Sequence, residues 1–113
     1  MIRAFVLSLA MIAVALPAAA HKLRVFAFVE GETVKVEAKF SSGRIPKAGE
    51  VRVMDAEEAL VLTLPLDPEG MTSFPLDPDA AADGLMIEVR AGDGHSNYWL
   101  LTPADIQRGR VGQ

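Results

Sequence analysis

Two histidines, His21 and His95, are the only imidazoles in 113 residues, and the chain contains no cysteine. The missing thiols exclude a disulfide framework, thiolate zinc sites, iron-sulfur clusters and thiol nucleophiles together. Any metal ion must therefore be held by nitrogen or oxygen. His21 gains weight from what precedes it. Cleavage after Ala20 makes it the first residue, with a free α-amine that can close one chelate ring with its own Nδ1 around a metal ion. The metal can displace the amine proton near neutral pH. If His95 reaches the same ion, the set is three nitrogens, which Cu(II) or Ni(II) accepts in tetragonal geometry. His95 closes the run Gly92-Asp93-Gly94-His95, whose glycines let the turn take unusual dihedrals. Asp93 is then placed to hold a histidine N–H as an outer partner of the metal, or to stand solvated in a hairpin-type turn.

Other candidates carry less. Tyr98 and Trp99 point to opposite faces of one segment; Trp99 shares the parity of His95, and core packing is expected of at least one of them. Asp77, Asp79 and Asp83 suggest a calcium loop, but Ala81 stands where a third oxygen ligand is needed and Ala82 where glycine is needed. Met54, Met71 and Met86 are each isolated in a strand pattern and read as core filler. Serines 41, 42, 73 and 96 lie in no nucleophile motif, and no glycine loop is built to cradle phosphate.

The residues before His21 read as an address. Arg3 supplies one positive charge, Ala4 to Leu16 is apolar apart from Ser8, and Pro17-Ala18-Ala19-Ala20 ends in small residues. That order and length describe a secretory signal peptide over 1–20, too short to span a bilayer. The product is expected to be exported, periplasmic in a cell with two membranes, with no membrane span after cleavage. Taking those 20 from 113 residues leaves 93, one small domain. The formal net charge of −4 becomes −5 once Arg3 is removed, which argues against nucleic acid or anionic lipid as partner.

Alternation of period two runs through the remainder. Leu23, Val25, Ala27 and Val29 share one face; Val34, Val36, Ala38 and Phe40 face inward against Lys35, Glu37 and Lys39. Glu30-Gly31-Glu32 is a hairpin turn between these two strands. Further strands are expected over Glu50 to Met54, Leu60 to Leu64, Met71 to Leu76, Leu85 to Ala91 and His95 to Thr102, each bounded by turn-forming residues. Seven short strands at this spacing predict an all-β fold, a single antiparallel β-sandwich of immunoglobulin-like or transthyretin-like type over 21–107. In immunoglobulin-like sandwiches the first and last strands often run parallel side by side, which would bring His21 and His95 to one end of the domain. Asp79 to Ala82 and Thr102 to Ile106 have the composition of single helical turns, and 108–113 reads as a flexible tail.

The stretch from His21 to Gly43, together with Val51-Arg-Val-Met-Asp-Ala, Asp67-Pro-Glu-Gly-Met-Thr-Ser-Phe and Ala91-Gly-Asp-Gly-His95, resembles the small exported accessory proteins of nickel and cobalt uptake systems. Those proteins accompany energy-coupling-factor-type transporters and are often described as carboxypeptidase regulatory-like domains. The resemblance implies Ni(II) or Co(II) as the bound ion, His21 and His95 as its contacts, a membrane transporter component as partner, and no catalysis. Longer members of that family end in a transmembrane helix, so this chain would be recruited by a separate membrane partner. Periplasmic copper handling uses the same chemistry, since small exported sandwiches of the copper-resistance type also begin with histidine and the affinity order favours Cu(II). A sandwich that binds protein or glycan without metal would tolerate loss of both histidines. An oxidative copper enzyme of the histidine-brace kind would need Tyr98 to face the metal.

Overall fold

The computed structural model describes residues 22–111; the signal peptide expected over 1–20, His21 and the last two residues lie outside that range. Seven strands follow in order: β1 (Leu23–Glu30), β2 (Thr33–Phe40), β3 (Glu50–Asp55), β4 (Leu60–Pro65), β5 (Met71–Pro75), β6 (Leu85–Arg90) and β7 (Ser96–Leu101). They form two antiparallel sheets, ordered β1-β2-β5 and β4-β3-β6-β7, that bury one face of each in a shared core. The expected all-β domain of seven strands is therefore present.

The alternation explains the burial. On β1, Leu23, Val25, Ala27 and Val29 are buried while Arg24 and Phe26 are exposed; on β2, Val34, Val36 and Ala38 are buried in step with them. Branched side chains fit this half-buried pleat, and Val34, Val36, Val51, Val53, Ile87 and Val89 form the deepest layer with Leu101. No polar or charged residue is buried among the described residues. The β3–β4 ladder shifts register between Val53 and Met54, where Val61 is the extra residue of a bulge. Met54 is buried as expected, while Met86 is half-buried. They are cross-strand partners on the outer face of the four-stranded sheet, and Met71 is exposed.

Aspartates make the turns. One carboxylate oxygen of Asp55 accepts N–H bonds from Glu57 and Ala59, one of Asp67 from Glu69 and Met71, and one of Asp77 from Asp79 and Ala80. Each replaces backbone partners that a strand end leaves unsatisfied.

The expected turn at Thr102–Ile106 is the start of a longer helix, α1 (Pro103–Val111), so Arg108–Val111 is helical and the tail boundary drawn before Arg108 is corrected. Three local features explain the correction. Pro103 opens the first turn, where its missing N–H costs nothing. Thr102 and Asp105 cap each other reciprocally, Asp105 N–H donating to the Thr102 hydroxyl at 3.1 Å and Thr102 N–H to the Asp105 carboxylate at 3.3 Å. The third is Ile106, which is buried against the core. Beyond it, Arg110 pairs with Glu32 at 3.2 Å, and Gly31 N–H donates to the Gly109 carbonyl at 3.1 Å.

The cap makes α1 sensitive to acid. Hydrogen bonds from Thr102, hydroxyl first and backbone N–H second, hold the Asp105 carboxyl below the ordinary carboxylate range, helped by the Arg108 guanidinium. A carboxyl depressed in the folded state contributes stability that is present above its unfolded value and lost as pH falls through the folded one. Amide exchange across α1 is expected to accelerate below the ordinary aspartate range before the sheets respond. Asp105→Asn should flatten that dependence; an unchanged acid profile in this variant would exclude the cap as its cause.

Candidate metal-binding cleft

His95 lies at the foot of the β6–β7 hairpin. Its N–H donates to the Gly92 carbonyl at 3.0 Å and its carbonyl accepts from Ala91 N–H at 2.8 Å. Asp93 and Gly94, the two central residues, have φ of 54° and 79°. Left-handed φ at both positions is the primed hairpin turn that Asp-Gly favours, because its twist matches that of the strands. The turn fixes the His95 backbone, and Phe40 fixes its ring. The two rings meet edge to face, centroids 5.1 Å apart.

Phe40 ends β2 and pairs with Leu23 at the start of β1. The start of β1 is held from two sides. Lys22 N–H donates to the Ser41 hydroxyl at 3.1 Å while its carbonyl accepts from Ser41 N–H at 2.7 Å. Across the gap between sheets, the Asn97 side-chain amide donates to the Leu23 carbonyl at 2.9 Å. Farther along, Trp99 packs edge-on against Phe26, centroids 5.1 Å apart, so β1 and β7 run alongside each other in the same direction. The start of β1 and the start of β7 therefore share one end of the domain.

A cleft of about 480 Å³ opens at that end. His95 and Asp93 border it on the hairpin side; Phe40, Arg44, Ile45 and Lys47 border it on the side of the β2–β3 connection. Asp93 is exposed at the turn tip, and no hydrogen bond joins its carboxylate to the His95 ring. Among the described residues no three His, Cys, Asp or Glu side chains group to hold a metal ion. The remaining donors expected from the sequence belong to His21, outside the described residues, whose covalent neighbour is the tethered Lys22.

Neither Tyr98 nor Trp99 enters the core. Tyr98 is 54% exposed on the outer face, opposite Glu88, and does not border the cleft. Trp99 does take the inward parity, but β7 is an edge strand, and at the gap beside β1 the indole meets the exposed Phe26. Sequence reasoning missed Asn97, Phe40, Arg44 and Lys47 as parts of this end of the domain. Only Asn97 left a trace, as a polar residue at an inward position of an otherwise apolar strand. Comparison with family models, curated proteins and solved structures finds no match to this chain.

Proposed function

We propose that the exported chain, cut after Ala20, is a metal-binding accessory protein that holds one divalent ion through the His21 amine, the His21 imidazole and the His95 imidazole. Ni(II) or Co(II) is the ion, and delivery to a membrane transporter component in the periplasm is the role. The supporting observation is the Asn97–Leu23 hydrogen bond, which ties the start of β7 to the start of β1. A histidine at the mature terminus is then two residues along the chain from Leu23 on one side, and His95 is two residues from Asn97 on the other. The strand order β1-β2-β5 facing β4-β3-β6-β7 favours the immunoglobulin-like arrangement over the transthyretin-like one. Asp93 is proposed as an outer partner only, since it borders the same cleft. Cu(II) competes for an all-nitrogen set by the general affinity order, so copper handling is the second reading.

The test is calorimetric titration of protein starting at a free His21 with Ni(II), Co(II) and Cu(II). One stoichiometric site is expected, weakened at least about a hundredfold both by one extra residue ahead of His21 and by His95→Ala. Binding indifferent to either change would overturn the three-nitrogen site and leave a metal-free binding sandwich as the better account.

A further inference from the structure

We propose that copies of this chain associate head to tail, the basic knob Arg44-Ile45-Pro46-Lys47 of one copy seating in an acid-rimmed apolar pocket at the far end of the next. The inference goes beyond the metal reading and does not rest on it.

The pocket follows from the register of the four-stranded sheet. Leu60 pairs with Met54, Met54 with Met86 and Met86 with Leu100, so an unbroken apolar row crosses all four strands on the outer face. The next row, Thr63, Arg52, Glu88 and Tyr98, is mostly polar and carries the Arg52–Glu88 ion pair. Polar residues are the ordinary choice on the wet side of an antiparallel sheet, so the apolar row is the departure. Met54 is buried without belonging to the core between the sheets, and Leu60 and Leu100 at the ends of the row are 52% and 54% exposed. At the Leu100 end the row runs into a pocket of about 330 Å³ whose apolar lining includes Met86, Leu100 and Pro103. Asp55, Glu58 and Asp83 border the same pocket, and no Lys or Arg does. None of these three carboxylates belongs to an ion pair. Glu58 is fixed there by its turn, its N–H donating to the Asp55 carbonyl at 3.0 Å. Three uncompensated carboxylates around an apolar lining select an apolar group flanked by cations.

The chain itself carries such a group. Arg44 and Lys47, both exposed and in no ion pair, flank Ile45, which is 43% exposed. Pro46 between them is buried, and the Arg44 carbonyl accepts from Phe40 N–H at 2.8 Å, so the knob is anchored and loses little freedom on docking. Arg24 and Lys39, cross-strand partners at the same end, are also outside any ion pair and extend the positive field. Knob and pocket cannot meet within one molecule. The knob precedes β3 and the pocket lies at its far end, a strand of 6 residues, which is about 20 Å. The contact must therefore join different copies. Because its two surfaces differ, it is heterologous and leaves a free knob at one end of the row and a free pocket at the other.

Sedimentation velocity of the chain starting at His21, run in EDTA so that no metal contributes, tests this. The sedimentation coefficient is expected to rise with protein concentration at about 20 mM NaCl and to return to the monomer value at about 0.5 M, where surface charges are screened. Two charge reversals carry the decision: Arg44→Glu with Lys47→Glu on the knob, and Glu58→Lys with Asp83→Lys on the pocket. All four side chains are exposed, so the fold is expected to survive, and circular dichroism checks it. Each double variant alone should associate at least about tenfold more weakly than the parent, and an equal mixture of the two should regain association, since each knob then meets a pocket of opposite charge. A parent that stays monomeric at low salt would overturn the proposal and leave a basic segment of another protein as the occupant of the pocket. Association that is indifferent to either reversal, or that the mixture does not restore, would overturn it as well by placing the contact elsewhere.

Discussion

Gly109→Ala is expected to destabilise the domain by about 1–3 kcal/mol and to loosen α1 from β1. The sign is not obvious from the substitution type, because alanine in place of glycine inside a helix ordinarily gains roughly 0.5–1 kcal/mol. Geometry decides it. A Cβ at position 109 would lie 2.1 Å from the Val29 carbonyl oxygen and 2.8 Å from the Val29 carbonyl carbon. Those are backbone atoms of a strand paired with β2, Val29 against Val34, so no flexible side chain can give way. Relief must come from moving the helix, which also lengthens the Gly31–Gly109 hydrogen bond and lifts Ile106 from the core. For a domain of this size the fall in Tm should be roughly 5–20 °C. Gln107→Ala, at an exposed position of the same helix, is the control and should be neutral or slightly stabilising. A Gly109→Ala variant as stable as that control would mean that α1 does not pack on β1 at this distance.

The same helix shows where sequence reading reached its limit. Strands were legible because each sheet is half buried: period two in Leu23, Val25, Ala27 and Val29 is imposed by one wet face and one dry face. Strand ends were legible because Asp67 and Gly70 have short-range reasons to be there. Helix α1 has no such stripe. It buries Ile106 and otherwise depends on a close approach at Gly109 to a strand some 80 positions earlier in the chain, which only tertiary packing reveals. Its local signs, Pro103 in the first turn and the reciprocal Thr102–Asp105 cap, mark only where it starts.

The cleft divides in the same way. His95 was visible as a residue type in a glycine-flanked turn, and the primed turn follows from Asp93-Gly94. Arg44 and Lys47 lie in an ordinary-looking connection about fifty residues away, and nothing in their local pattern pairs them with His95. Trp99 shows the opposite failure. Its parity is legible in the sequence, but inward parity on an edge strand leads to the gap between sheets, where Phe26 meets it.

Metal binding by the proposed site should raise the thermal stability of the protein, and the size of the rise reports on His95 more sharply than binding itself does. A ligand that binds only the folded state at a hundred times its Kd adds about 2.7 kcal/mol, or roughly 10–20 °C in Tm for a domain of this size. Binding to the unfolded chain reduces that gain. The His21 amine and imidazole are adjacent in one residue, so as a chelate they survive unfolding and contribute little to the difference. His95 is brought to the site only by folding, through the hairpin turn, the Phe40 contact and the Asn97–Leu23 bond. His95→Ala should therefore abolish most of the Ni(II)-induced rise in Tm even where weak chelation at His21 persists. Asn97→Ala, which removes the donor to the Leu23 carbonyl but no ligand, should keep one-to-one binding and give a rise of intermediate size. Because the donors must shed protons to bind, the rise should grow from pH 6 to pH 8. An equal rise in the parent and in His95→Ala would place the metal on the terminal residue alone and remove the fold from the proposed mechanism.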